Sequence, residues 1–161
     1  MAEPLAFDPV TVEFKISPHF DLKPVEDGDW DIIRRHPLAD NIKHRAIYQR
    51  YREGMRWEDT DLFRDIYARR FLGGGRVRGE KSTEALARQY YTRVDKLFDD
   101  LKHRGFCLAG PLGKPYPLPN LLIGRGGEIY LGNNGNHRFA MARVLGLNPI
   151  AGVIICRHSQ A

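Results

Sequence analysis

The chain has 161 residues, of which 42% are hydrophobic and 28% charged, and its formal net charge at pH 7 is +5. This length predicts a single domain over residues 1–161, and the ordinary composition excludes a wholly disordered chain. The longest apolar runs, such as residues 153–156, are far shorter than the ~18 residues of a membrane span, so we expect no membrane association. Residues 1–9 contain neither a basic nor an apolar leader segment, and we expect no signal peptide.

The cysteines and the charge distribution narrow the class of protein. Cys107 and Cys156 are far apart and form no CxxC pair, which excludes zinc ribbons and disulfide scaffolds and predicts a cytoplasmic location. Residues 1–80 carry 14 Lys and Arg against 15 Asp and Glu, whereas residues 81–161 carry 11 against 5. We therefore expect the C-terminal half to contact an anionic partner, either a nucleotide, a phosphorylated small molecule or nucleic acid. A solvated basic surface is the alternative.

The first half of the chain predicts a strand, a turn-rich segment and three helices. Residues 10–16 alternate apolar and polar side chains, which indicates a half-buried strand. Residues 18–40 are rich in turn signals, and we expect Trp30, Ile32 and Ile33 to anchor them to the core. Apolar residues at helical spacing then predict the helices, the second with Ile66 in its apolar stripe. The first helix has Asp40 or Asn41 as its N-cap and Gly54 near its end. The second has Thr60 as its N-cap and ends at Gly73. The third has Ser82 or Thr83 as its N-cap and ends at Gly105.

The second half predicts strands on either side of one helix. Residues 120–124 and 128–131 form a predicted hairpin around a glycine-rich turn. Residues 136–145 predict a helix that Gly146 closes, and residues 150–156 are apolar enough for a strand inside a sheet. We therefore expect an α+β fold, in which helices pack on a small mixed sheet.

The loop before the predicted helix at 136–145 has the features of an anion site. A helix N-terminus offers backbone N–H groups and the positive end of the helix dipole. Gly135 lets the backbone approach an anion closely, and His137 and Arg138 add donors in the first turn. Cationic side chains oppose the dipole there, so a bound phosphate would explain their position. The alternative is an ordinary strand–turn–helix with Asn134 or Asn136 as the cap.

Residues 83–158 resemble the ParB N-terminal and sulfiredoxin-like superfamily. The resemblance lies in the order of the elements and in a Gly-x-His-Arg sequence that opens an alanine-rich helix ending in Leu-Gly-Leu. It implies a ParB/sulfiredoxin-like sheet, with the phosphates of ATP or CTP held with Mg²⁺ by the loop and helix start, residues 134–138. Residues 1–80 match none of these relatives and are interpreted as a helical N-terminal extension.

Two positions depart from the pattern of these relatives. Asn136 occupies the place of the catalytic cysteine of sulfiredoxins, so we expect no sulfinic acid reductase activity. Asn134 occupies the place of an acid in kinase-type members, which removes a metal ligand or base. The sequence shows no helix-turn-helix after the last predicted strand, and we therefore expect no sequence-specific reading of DNA.

Two other segments are candidates for the site. Glu58, Asp59 and Asp61 lie at a predicted helix start, where they suit either capping or a Mg²⁺ or general-base role toward the phosphates. Residues 71–81 form a glycine-rich basic segment in which Arg76 and Arg78 are candidate phosphate ligands on a mobile lid. A flexible solvated linker is the alternative for this segment.

These features support two hypotheses of different class. The first is a nucleotide-dependent enzyme that transfers or hydrolyses a phosphoryl group, with the missing carboxylate supplied by Glu58, Asp59 or Asp61. The second is a non-catalytic module that binds a nucleotide or a nucleic-acid backbone, such as a DNA-associated ParB-like protein. We expect any binding of nucleic acid to be weak and insensitive to sequence.

Overall fold

The computed structural model describes residues 4–16, 23–106 and 118–161, which form a mixed α+β fold around a seven-stranded sheet. The strands are β1 (Pro4–Phe7), β2 (Phe14–Ile16), β3 (Val25–Glu26), β4 (Arg35–Pro37), β5 (Asn120–Ile123), β6 (Ile129–Leu131) and β7 (Ile150–His158). Their order is β1-β7-β5-β6-β2-β4, and β3 pairs with the end of β7.

The sheet confirms the predicted hairpin and the predicted final strand. β5 and β6 pair antiparallel, and β7 lies inside the sheet, antiparallel to β1 and parallel to β5. β2 continues the sheet beyond β6 as a parallel neighbour. Strands from the range 1–80 and from the range 83–158 therefore share one sheet.

The helices are α1 (Trp30–Ile33), α2 (Ile42–Tyr51), α3 (Ala68–Leu72), α4 (Thr83–Leu86), α5 (Thr92–Arg104) and α6 (Asn136–Leu145). A π-helical segment, Leu62–Tyr67, leads into α3, and a second, Ala87–Tyr91, joins α4 to α5. Three caps are confirmed by hydrogen bonds or left-handed backbone, because Asn41 caps α2, Ser82 caps α4 and Gly105 ends α5.

Apolar side chains fill both faces of the sheet. Leu121 and Leu131 face α6 and pack with Phe139, whereas their neighbours Leu122 and Tyr130 face the other side. This division follows from the alternation of side chains along a strand. Next to the first cluster, α2, α5 and α6 share a helical core with the two π-helical segments. The packing holds the N-terminus of α6 close to α2 and to the second π-helical segment.

The predicted strand over residues 10–16 is wrong in its first half. Pro9–Thr11 form a 3-10 turn, in which the Asp8 carboxylate accepts a hydrogen bond from the backbone N–H of Val10. Proline at the first position favours such a turn, and Val10 is exposed as a result. The strand is confined to Phe14–Ile16.

Three predicted core contacts are also wrong. Ile32 and Ile33 lie on a helix too short to bury more than one face, so Trp30 is buried while both isoleucines are exposed. Ile66 is exposed because the π-helical segment changes the angular spacing of side chains relative to an α-helix. Thr60 does not cap this segment with its side chain, since its hydroxyl donates to the carbonyl oxygen of Trp57.

The described residues contain no helix that is both long and apolar enough to cross a membrane. Cys156 is fully buried in β7, and burial raises the pKa of its thiol, which suits a core side chain. Cys107 lies outside the described residues.

Candidate functional site

The loop between β6 and α6 requires glycine at position 135. Gly135 is the N-cap of α6 and has a φ of 74°, in the left-handed region. A Cβ at this position would lie 2.5 Å from Cα and 2.6 Å from the nitrogen of Pro119. Backbone conformation and backbone packing therefore both exclude a side chain, and α6 begins against the segment that leads into β5.

Asn136 ties this loop together. Its Nδ2 donates to the carbonyl oxygens of Asn133 (2.6 Å) and Gly132 (3.4 Å), and the residue is buried. The backbone N–H of Asn120 donates to the carbonyl oxygen of Asn134, which fixes the loop to β5. The side chain of Asn136 thus has a structural role, because it holds the backbone of the loop in place.

The loop forms one wall of a pocket of about 270 Å³ that contains four basic side chains. No acidic residue of the described part of the chain lines it. We call it the cationic pocket, and its lining residues are Lys43, Arg78, Tyr90, Leu97, Asn133, Asn134, Gly135, Asn136, His137 and Arg138. The lining thus contains basic side chains and no carboxylate among the described residues, and such a surface favours an anionic ligand.

His137 is uncharged at neutral pH in this pocket. Its ring packs against Tyr90 and Tyr91, with centroid separations of 6.4 and 6.0 Å. Burial first, and then the charges of Lys43 and Arg78, lower the pKa of His137 to about 4. The imidazole is thus a neutral hydrogen-bonding group, while the lysine and the arginines carry the charge.

The two arginines of the pocket are held by aromatic rings. Arg138 is buried, and its guanidinium carbon lies 4.3 Å from the centroid of Phe106. The guanidinium carbon of Arg78 lies 5.0 Å from the centroid of Tyr90. Arg78 has a φ of 52°, uncommon for a residue with a side chain, in the turn closed by the bridge between Val77 and Glu80. This turn directs Arg78 toward α6.

Further positive charge lies behind the pocket. Lys15 is half-buried on β2, and burial together with Lys43 lowers its pKa. On α2, His44 faces Asn136, and burial, Arg143 and Lys15 lower the pKa of its imidazole to about 3. Nε2 of His44 and Oδ1 of Asn136 are both shielded from solvent, and neither forms a hydrogen bond of normal geometry within the described residues.

The neutral state of His44 predicts a loss of stability in acid. With a native pKa of about 3 and an unfolded value near 6.5, only the unfolded state gains this proton between those pH values. The free energy of unfolding should therefore fall by up to about 1.4 kcal/mol per pH unit from this residue as pH decreases. Urea denaturation between pH 7 and 4 should show a shallower pH dependence of stability for His44→Gln than for the control His103→Gln, whose histidine is exposed on α5. Equal slopes in both variants contradict a buried, neutral His44.

The predicted carboxylates lie outside the cationic pocket. Asp59 pairs with Arg56 (3.0 Å), and Asp61 pairs with Arg45 and Arg64 (both 3.1 Å). Glu58 lies in the same 3-10 turn as Asp59 and does not line the pocket either. The structure therefore does not bring Glu58, Asp59 or Asp61 together with the loop at residues 134–138.

Of the two candidate arginines of the glycine-rich segment, only Arg78 lines the pocket. Nη1 of Arg76 donates to the carbonyl oxygen of Gly79 (3.1 Å), so this side chain holds the turn. Residues 73–81 thus lie partly against the body of the protein, with Arg78 as the contact.

The donor set does not fit a Mg²⁺ ion held by the protein. Mg²⁺ in phosphate sites is bound through one or two carboxylates in addition to the phosphates. Within the described ranges, no three His, Cys, Asp or Glu side chains are grouped as metal ligands, and the lining of the pocket offers no carboxylate.

Four residues of the lining were not predicted from the sequence, namely Lys43, Tyr90, Leu97 and Asn133. Lys43 has no local signal, because the first turn of α2 meets the pocket only through its packing on α6. Tyr90 lies half-buried at the wall of the pocket, on the second π-helical segment. Asn133 precedes the predicted loop residues directly, so extending that motif by one position would have included it.

A larger, more open cleft lies on the other side of α2 and α6. It has a volume of about 580 Å³ and contains Glu13, Arg45, Arg52 and Arg143 beside apolar residues. Arg45 is paired with Asp61, and Nη2 of Arg52 donates to the carbonyl oxygen of Val144 (2.6 Å). Arg45 and Arg52 thus each have a partner within the fold, and the lining of this cleft includes the carboxylate of Glu13.

Comparisons of the chain with family models, with curated proteins and with solved structures find no match.

Proposed function

We propose that the protein is a ParB/sulfiredoxin-like nucleotide-binding protein that holds the phosphates of ATP or CTP in the cationic pocket. The observation that carries this proposal is the set of Lys43, Arg78 and Arg138 around the N-terminus of α6, with no acidic residue of the described chain in the lining. The first N–H groups of a helix lack acceptors within the helix and favour anions. His137 adds a neutral donor.

The small size of the pocket favours phosphates in its interior and the nucleoside at its mouth. Its volume of about 270 Å³ is slightly below the roughly 300–1,000 Å³ of sites that enclose a drug-sized ligand. The half-buried ring of Tyr90 and the side chain of Leu97 provide the apolar part of the wall. If the nucleotide binds through its phosphates, the pocket interior does not select the base. The screen described next identifies the preferred base.

A thermal-shift screen with ATP, CTP, GTP and UTP tests this function. A ligand at 100 times its Kd adds about 2.7 kcal/mol of stability, which is roughly 5–11 °C in Tm for a chain of this size. We expect at least one nucleotide to produce such a shift. The absence of a shift with all four at millimolar concentration rejects the proposal.

Catalysis is the second candidate, and His137 is the observation that favours it. A neutral imidazole in the pocket can accept a proton from an attacking water or hydroxyl group. The carboxylates 58, 59 and 61 would have to leave their present positions to take part. Phosphate release from the nucleotide found in the screen distinguishes hydrolysis from binding alone.

Nucleic acid is the alternative ligand, and its dependence on salt separates it from a nucleotide. The basic excess of residues 81–161 predicts weak binding of duplex DNA, with an affinity that falls steeply as salt rises because condensed counterions are released. The nucleotide should depend on salt less steeply. Titrations of two unrelated duplexes should give similar affinities. A preference of about 10³-fold or more for one duplex at physiological salt favours DNA recognition instead.

A further inference from the structure

We propose that the phosphates bind in the cationic pocket without a divalent cation, because side chains of the protein supply the positive charge that Mg²⁺ usually supplies. This inference rests on the proposed function and specifies the form of the ligand, namely the metal-free polyphosphate.

The lining of the cationic pocket already carries several positive charges. Lys43, Arg78 and Arg138 come from α2, the turn at residues 77–80 and α6, and they converge on one small volume. The positive end of the α6 dipole points to the same place. Cationic side chains from three elements can therefore contact a polyanion from several sides. Each of them supplies part of the positive charge that a metal ion would otherwise supply.

A metal ion in the pocket would be repelled by the positive charges around it. Lys15 is half-buried, and its burial first, and then the nearby charge of Lys43, lower its pKa. At His137, the charges of Lys43 and Arg78 add to the effect of burial and lower the pKa further. Neighbouring groups thus already resist a further proton, and the same repulsion acts more strongly on a doubly charged cation.

The carboxylates of the predicted site lie outside the pocket. Asp59 and Asp61 form ion pairs with arginines outside the pocket. The described part of the chain presents no carboxylate in the lining to ligate Mg²⁺ or to orient its water molecules. Mg²⁺ on the ligand would cancel two negative charges and weaken the attraction of the polyphosphate to the lining.

Isothermal titration calorimetry tests this inference with two probes, inorganic tripolyphosphate and the nucleotide found in the screen. Each is titrated in EDTA and in excess MgCl₂, with ionic strength matched by NaCl. We expect Kd to be about tenfold lower in EDTA, which corresponds to about 1.4 kcal/mol. A lower Kd in MgCl₂, or binding that requires MgCl₂, overturns the inference and leaves the proposed function intact. Failure of both probes to bind in either buffer rejects the proposed function itself.

A variant with one positive charge fewer provides a second measurement, the ratio of two Kd values. A uniform loss of affinity in both buffers leaves this ratio unchanged. Arg78→Asn removes one cation and keeps a residue that tolerates a positive φ. We expect the ratio of the Kd in MgCl₂ to the Kd in EDTA to decrease toward one in this variant. The control, Lys81→Asn, removes an exposed charge close to the same turn and outside the lining, and it should retain the ratio of the parent protein. An equal ratio in Arg78→Asn and in the parent protein contradicts the inference.

Discussion

Substitution of Gly135 by alanine should destabilise the protein by about 2–5 kcal/mol and abolish phosphate binding. A left-handed backbone at a residue with a side chain costs about 1–3 kcal/mol, and an overpacked contact adds a similar amount. Here the new Cβ would meet the backbone of Pro119 at 2.5 Å, and a backbone cannot turn aside as a side chain can. Denaturant unfolding measures the first effect and calorimetry with tripolyphosphate measures the second.

Gly146→Ala is the matched control for this substitution. Gly146 ends the same helix with a φ of 68°, and a Cβ there has no neighbour within 4 Å among the described residues. Gly146→Ala should lose only the stability that the left-handed backbone costs, about 1–3 kcal/mol, without the added cost of the contact, and it should keep phosphate binding. Equal losses of stability in the two variants would show that the contact with Pro119 does not hold the loop.

The second large effect is expected for Arg138→Ala, which should weaken nucleotide binding by about 1.5–3 kcal/mol, or roughly tenfold to a hundredfold. Arg138 is buried at the start of α6, and its guanidinium is placed over the ring of Phe106. A charge already fixed in position loses little entropy when it binds an anion. Calorimetry with the nucleotide measures the change, and circular dichroism verifies that the variant is folded.

Arg143→Ala is the control for Arg138→Ala. Arg143 lies on the same helix but lines the larger cleft on the other side of α2. We expect its removal to change nucleotide affinity by less than about twofold, a difference below 0.5 kcal/mol. A stronger loss in Arg143→Ala than in Arg138→Ala would move the binding site to that cleft.

Local signals predicted the elements around the site correctly. The hairpin of β5 and β6, the bounds of α6 and the interior position of β7 all follow from apolar patterning with glycine at the turns. Asn41 and Ser82 were among the predicted caps because their side chains can accept a hydrogen bond from the next turn of backbone. Such contacts join residues two or three positions apart, and the sequence displays them directly.

Contacts between distant segments could not be predicted in the same way. Lys43 reaches the pocket because α2 packs on α6, and Asp61 is paired because α2 places Arg45 beside it. Residue types in a linear pattern do not specify which of many arginines will meet a given carboxylate. The acidic residues in the range 58–61 were therefore compatible with a catalytic role when only the sequence was considered. The packing of the helices determines which arginines they pair with.

Backbone amide shifts in a ¹⁵N-labelled sample titrated with tripolyphosphate test the central claim most directly, because they locate the anion without any substitution. We expect the largest shifts at residues 133–138, with further shifts at Lys43 and Arg78, and small shifts in the larger cleft. Saturable shifts that concentrate at Arg45, Tyr48 and Arg143 instead, with residues 133–138 unmoved, would contradict the assignment of the phosphate site to the cationic pocket.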